Sequence, residues 1–118
     1  NLDIPLPYPY VEQVVQKYFR DEKQRDKQLY HLSRVFILDS YRTHVSLIYR
    51  ASIIALSGII LAATIMGYQM PPGLENPEEQ DQSKIDKIYE GWLKEIDPEA
   101  KSEEINDCLK ALQELLEL

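Results

Sequence analysis

Ile37-Leu38-Asp39-Ser40-Tyr41-Arg42-Thr43-His44-Val45-Ser46-Leu47-Ile48-Tyr49, then Arg50, then the run Ala51-Ser52-Ile53-Ile54-Ala55-Leu56-Ser57-Gly58-Ile59-Ile60-Leu61-Ala62-Ala63-Thr64-Ile65-Met66, decides the fold. The first part ends a helical pattern in a polar corner centred on Tyr41. The second is rich in Ala and Ile and carries no charge. A helix apolar on every side belongs at the centre of a helical domain or inside a bilayer. The uncharged stretch reaches Met70, long enough to cross a membrane. Ser52, Ser57, Gly58, Thr64, Gly67, Tyr68 and Gln69 dilute it, however, and no Lys or Arg cluster follows it. Small residues such as Ala51, Ala55, Gly58, Ala62 and Ala63 would instead let neighbouring helices approach closely. The expectation is a buried hub helix running from about Leu47 to Gly67, with Ile54, Leu56, Ile59 and Ile60 in its core, and no membrane contact.

Working outward, Pro5, Pro7 and Pro9 predict an extended lead-in over residues 1–9, with Pro9 able to sit in the first turn of a helix. Val11, Val14, Val15, Tyr18 and Phe19 fall at helical spacing over Tyr10 to Arg20. A charged junction, Asp21 to Arg25, precedes a second helix from about Asp26 to Ser40. Its apolar residues are Leu29, Leu32, Val35, Phe36 and either Ile37 or Leu38, a wide arc that predicts a mostly buried helix. Tyr41 to Ile48 reads as a bend, with Thr43 and Ser46 as candidate caps for the hub. Gly67 stands where the hub's C-cap is expected.

Residues 68–82 hold Pro71, Pro72, Gly73, Asn76, Pro77 and several acids, and read as a mobile acidic loop. Ser83, with Asp86 three residues on, marks the start of a fourth helix. Its face is Ile85, Ile88, Tyr89, Trp92, Leu93 and Ile96, and Asp97-Pro98 ends it. Ser102 caps a fifth helix, with Glu103 and Glu104 in the first turn where the dipole favours negative charge. Its face is Ile105, Cys108, Leu109, Leu112, Leu115 and Leu116. No segment alternates with period 2. The fold class is therefore all-α: one helical domain over residues 1–118, with five helices and an apolar third helix at the centre.

At 118 residues the chain suffices for one domain that builds a real core without staples. Its single cysteine, Cys108, lies on a core-facing position and reads as a packing thiol. One cysteine makes no internal disulfide, which fits a reducing compartment. The chain starts at Asn1 rather than Met, so it is expected to be a piece of a longer protein. Net charge is −7, with residues 1–70 at +2 (8 basic, 6 acidic) and residues 71–118 at −9 (5 basic, 14 acidic). The acidic second half argues against a binder of phosphate backbones. The basic cluster Lys17, Arg20, Lys23, Arg25 and Lys27 is broken by Asp21, Glu22 and Asp26 and reads as a solvated junction.

No pattern carries chemistry. His31, His44 and Cys108 lack metal-ligand spacing. Asp39, Ser40 and His44 are neighbours in sequence, but three residues on one turn rarely converge as a triad. The glycines are scattered, without a phosphate loop. Glu75, Glu78, Glu79 and Asp81 lack the alternation and terminal bidentate Glu of a calcium loop. Trp92 shares a face with Ile88 and Ile96 and reads as core. The expectation is a binding or scaffold domain, with no catalytic residue, no cofactor and no metal.

The order of parts then carries a resemblance. A Pro-Tyr lead-in, a helix, a helix ending in Asp39-Ser40-Tyr41-Arg42-Thr43, then Leu47 and Tyr49, and a hub containing Ile54-Ala55-Leu56 resemble the second, C-terminal cyclin box of the transcriptional cyclins, cyclin C above all. In that family the box's second helix ends in an Asn-Asp-(Ser/Thr)-Tyr-Arg-Thr corner, followed by a Leu-Tyr-Pro-Pro entry and an Ile-Ala-Leu-Ala-Cys-Leu hub. Trp92-Leu93-Lys94-Glu95-Ile96 looks like its tryptophan-led fourth helix, and Ile105 to Leu116 like its fifth. The likeness spans nearly all of the chain. Arg50-Ala51 stands where the family has Pro-Pro, Ser57-Gly58 where it has a small residue and Cys, and the proline-rich loop is longer.

The resemblance implies a five-helix cyclin-box-like bundle and a non-catalytic part of a cyclin-dependent kinase regulatory subunit, of the Mediator kinase module type, in the nucleus. Its partners would be the kinase, contacted mainly through a first cyclin box, and other subunits of a transcription complex. Direct nucleic-acid binding and membrane contact are not implied, and an exposed inter-box face leaves room for a homodimer. Asp39, Tyr41, Arg42 and Thr43 have two readings: a structural corner, with the Tyr41 ring packed and Arg42 paired, or part of a partner groove. Two other readings stand beside the cyclin one. A free-standing helical protein–protein interaction adaptor would dock the Leu109, Leu112, Leu115 and Leu116 stripe into a partner. The general transcription factor type of cyclin fold would bind DNA, which the charge of the second half disfavours.

Overall fold

The computed structural model describes residues 8–19, 25–41, 43, 45–67 and 82–115. The expected acidic loop and the charged junction therefore lie largely outside the described residues, as do Arg42, His44 and Leu116. Six helical segments follow in order: α1 (Tyr8–Tyr18), α2 (Arg25–Ser40), α3 (Val45–Ile48), α4 (Ala51–Ile65), α5 (Gln82–Ile96) and α6 (Glu103–Leu115). Five are full helices and α3 is a single turn. The described residues contain no strand.

α4 is the centre. Every residue from Ser52 to Ala63 is buried, and α1, α2, α5 and α6 all pack against it. Ile54, Leu56, Ile59 and Ile60 lie in the core as expected. Burying a side chain of this size contributes about 1.5–3 kcal/mol each. One apolar cluster runs from Val11 on α1 to Leu112 on α6, so all the full helices share it.

Small residues set the approach distances around the hub. A Cβ on Gly58 would lie 3.2 Å from Ile37 Cγ1 and 3.5 Å from the Ser33 carbonyl, so α2 rests directly on the α4 backbone. The serines at this seam satisfy themselves locally. Ser33 Oγ donates to the Leu29 carbonyl at 2.7 Å and Ser40 Oγ to the Ile37 carbonyl at 2.5 Å. Ser57 Oγ, also buried, makes no full hydrogen bond. It opposes the Cys108 thiol, which burial pushes up to about 11 and the Ser57 hydroxyl pulls the other way. Cys108 is fully buried, the packing thiol expected.

α5 is clasped to α1 by aromatic rings around Trp92. Tyr18 stacks on it at 4.6 Å between centroids, and Phe19 and Tyr89 meet it edge-on at 5.7 and 5.3 Å. Such pairs add about 0.5–1.5 kcal/mol beyond their buried area. At the rim, Lys17 Nζ and Tyr18 OH both donate to Glu95 Oε2 at 2.7 Å. These bonds hold the Glu95 carboxyl below its usual range.

Several expectations need correction. Tyr8 and Pro9 belong to α1 rather than to the lead-in, because proline is tolerated in a first turn. Ser83 lies inside the first turn of α5, which starts at Gln82. The hub does not begin at Leu47: Arg50, with φ −66° and ψ 154°, breaks the helix and separates α3 from α4. α2 is not mostly buried. Leu29, Phe36 and Ile37 are buried, Ile37 against the hub, while Val35 and Leu38 are about half exposed, because α2 is covered by α1 and α4 on part of its surface only. Of the α6 stripe, Leu112 is buried against the hub and Leu109 half-buried, while Leu115 is 37% exposed and Leu116 lies outside the described residues.

At its C-terminal end α4 closes as expected. Gly67 takes φ +84°, the left-handed conformation glycine adopts without a Cβ penalty. Its N–H donates to the Thr64 carbonyl at 3.2 Å.

Candidate functional site

The corner between α2 and α4 carries the residues singled out in the sequence. α2 ends because its last turn tightens: the Tyr41 N–H is shared between the carbonyls of Ile37 at 3.3 Å and Leu38 at 3.2 Å. The Ser40 carbonyl then accepts from both the Thr43 N–H at 3.2 Å and Thr43 Oγ1 at 2.9 Å. Thr43 Oγ1 in turn accepts from the Val45 N–H at 3.3 Å. Thr43 thus caps a helix, but it caps the single turn α3 and not the hub.

Asp39 sits half-buried on the last turn of α2. Tyr41 is 41% exposed, so its ring is not packed into the core. Partial burial and the neighbouring Tyr8 push its phenol up. Ser40 is fully buried with its hydroxyl donating to the Ile37 carbonyl of its own helix. The structure brings Ser40, Tyr41 and Thr43 together as a hydrogen-bonded chain reversal.

Val45 is buried and anchors α3, and the Tyr49 N–H returns to the Val45 carbonyl at 3.1 Å. The next two apolar side chains point outward: Leu47 is 86% exposed and Ile48 62%. α3 packs against α6. Tyr49 is half-buried there, and burial first, then Cys108, Asp107 and Glu104, push its phenol up.

The start of α4 is held from across the fold. Arg50 offers no side-chain cap, although its carbonyl accepts the Ile54 N–H at 3.0 Å. Asp97, just past the end of α5, supplies the carboxylate. Its Oδ2 accepts from Ser52 Oγ at 2.7 Å and lies 3.6 Å from Arg50 Nη1, while its Oδ1 accepts the Glu99 N–H at 3.3 Å. Arg50 also lies 3.7 Å from Glu99. A negative charge beside the first turn of a long helix is favoured by the helix dipole. Sequence reading used Asp97 only as a helix stop. A carboxylate 45 residues from the Ser52 hydroxyl it accepts leaves no local pattern to read.

Cavities open on the surface of the described residues. One, of about 390 Å³, is lined by Tyr10, Arg50, Ala51, Ser52 and Asp97, of which Arg50, Ser52 and Asp97 are already paired with one another as described. Another, of about 370 Å³, lies between α1 and α2 and is lined by Glu12, Val15, Gln16, Lys27, Tyr30 and His31. Among the described residues no group of three or more His, Cys, Asp or Glu side chains converges as metal ligands. None of the described helices is long and apolar enough to cross a membrane. Comparison of the chain with protein-family models, with curated proteins and with solved structures finds no match.

Proposed function

We propose that the chain is a non-catalytic regulatory or scaffold module of transcriptional-cyclin type, the second box of a cyclin-dependent kinase regulatory subunit acting in the nucleus as part of a transcription complex. One observation carries the reading. The Asp39-Ser40-Tyr41-Arg42-Thr43 corner leads through a short turn into an apolar helix that four other helices enclose, the arrangement the cyclin-box likeness implies. Such a module works by shaping a partner's conformation and has no chemistry of its own. Kinase contact through a first box, and Mediator-type subunits as further partners, belong to the same proposal.

The test is binding and activation. The 118-residue domain alone should bind a cyclin-dependent kinase weakly or not at all, and should leave its activity unchanged. A chain in which a first cyclin box precedes it should activate the kinase. Activation by the isolated domain at the level of an intact cyclin would overturn the proposal. Arg42→Ala separates the two readings of the corner: a large fall in melting temperature supports a structural role, while normal melting with lost partner binding supports a groove.

A second reading, a helical interaction adaptor unrelated to cyclins, is favoured by the outward-facing Leu47 and Ile48. A parent chain lacking any second helical repeat next to this one would favour the adaptor.

A further inference from the structure

We infer that the α3 turn, with the first half of α6 beside it, is a docking surface for a basic amphipathic helix of another protein. The inference rests on the binding-module reading and is independent of the cyclin likeness. Leu47 and Ile48 are the two most exposed large apolar side chains among the described residues. They are adjacent, on a turn held by hydrogen bonds and a buried side chain. Thr43 caps their turn, buried Val45 pins it, and the Tyr49 N–H closes it. A pre-ordered apolar pair loses little entropy on binding, which favours it as an anchor.

Charge identifies the occupant. α3 packs against α6, whose outward residues include Glu103, Asp107 and Glu114, with Glu104 half-buried beside them. Glu104 and Asp107 are close enough to act on Tyr49, the residue after Ile48. Arg50 does not neutralise them, because Asp97 and Glu99 hold its guanidinium. Among the described residues of α6 and the turn before it, the basic side chains are Lys101 and Lys110, and the acids Glu103, Glu104, Asp107 and Glu114 outnumber them. An apolar anchor beside an acidic rim is complementary to a helix whose apolar stripe is edged by Lys or Arg. A second exposed apolar pair, Val35 and Leu38 on α2, has Arg34 and His31 as exposed neighbours, with one acid, Asp39, beside it.

The probe is a synthetic helical peptide of leucine and lysine, with a glutamate-for-lysine counterpart as control. Titration calorimetry measures both against the 118-residue protein at low and high salt. The lysine peptide should bind, with affinity falling about tenfold or more as salt screens the rim. The double substitution Leu47→Asp and Ile48→Asp should cut the affinity at least tenfold with an unchanged circular-dichroism melt. Val35→Asp with Leu38→Asp should leave it within twofold, and the glutamate peptide should bind no better than background. The inference is overturned by failure of the lysine peptide to bind, by equal binding to the Leu47/Ile48 variant, or by equal binding of the glutamate peptide. It is also overturned if sedimentation shows a dimer of this chain that the Leu47/Ile48 variant abolishes, since the occupant is then a second copy. None of these outcomes bears on kinase activation, so the two proposals fail separately.

Discussion

The hub and the corner that feeds it are built on opposite principles. In α4 twelve consecutive buried residues meet four helices, and the tightest seam is made by a glycine, Gly58, against Ile37. Between Tyr41 and Arg50 hydrogen bonds hold the chain, Val45 is the one buried side chain among the described residues, and the large apolar residues Leu47 and Ile48 face water. The hub spends its apolar surface on the fold. The corner keeps some of its own outside, which is why the proposed docking surface lies there. Burial is therefore a test of which region serves stability and which serves contact.

Damage to the hub should be the most severe. Leu56 is fully buried at the centre of α4, and Leu56→Ala should cost about 2–5 kcal/mol. For a domain near 100 residues that is a fall of roughly 10–30 °C in melting temperature. A loss below 1 kcal/mol by urea titration would mean the hub is not the packed centre. Gly58→Val comes next. Its first carbon already meets Ile37 at 3.2 Å, and the branched methyls have nowhere to go, so a cost of about 1–3 kcal/mol is expected. Gly58→Ala sharpens the point, because the helix propensity gained, close to 1 kcal/mol, is set against the same contact. A clearly stabilising Gly58→Ala would show that α2 shifts away easily.

The hub was legible in the sequence for the reason it is stable. An uncharged Ala- and Ile-rich run admits few placements, and amphipathic partners on both sides leave only the centre. The glycine C-cap and the stop at Asp97-Pro98 are local backbone chemistry, and both stand. The corner was legible only in part. Thr43 could be named as a cap from its side chain, but which helix it caps depends on the break at Arg50. Arg50 is extended at that break, and its side chain lies beside Asp97 and Glu99, far along the chain. The outward face of α2 was misread for a related reason. Val35 and Leu38 lie on an apolar arc, and composition does not say that only one side of that arc meets another helix. Tyr41 and Asp39 were placed at a corner, but exposure and geometry, on which their roles turn, are tertiary facts.

High pH offers a milder attack on the same interior. Burial pushes Tyr89 up to about 12, with Asp86 adding to it, and Cys108 up to about 11. Both folded-state values lie above the ordinary ones, so the folded protein holds these protons longer than the unfolded chain does. Stability should be complete below pH 9 and fall as pH rises from 9 to 12, by on the order of 2 kcal/mol for each group. Tyr89→Phe should flatten the upper part of that fall. Denaturant titrations of both proteins at several alkaline pH values measure it, and identical slopes would mean Tyr89 ionises as freely folded as unfolded. Ser52→Ala is smaller still. It removes the 2.7 Å bond to Asp97, whose carboxylate remains close to Arg50, so about 1 kcal/mol should be lost.

The least effect on folding belongs to the corner's outward pair. Leu47 and Ile48 bury little, so Leu47→Asp with Ile48→Asp gives up almost no transfer energy and leaves no cavity. Val45, the side chain that anchors the turn, is untouched, and so is the Thr43 cap. The added carboxylates face water, though near the acids of α6, which sets a small repulsive cost. Chemical denaturation should put the variant within about 0.5 kcal/mol of the parent. A loss comparable to that of Leu56→Ala would mean these side chains are packed in solution. The corner would then be part of the hub's own shell, and the distinction between a folding region and a contact region would vanish.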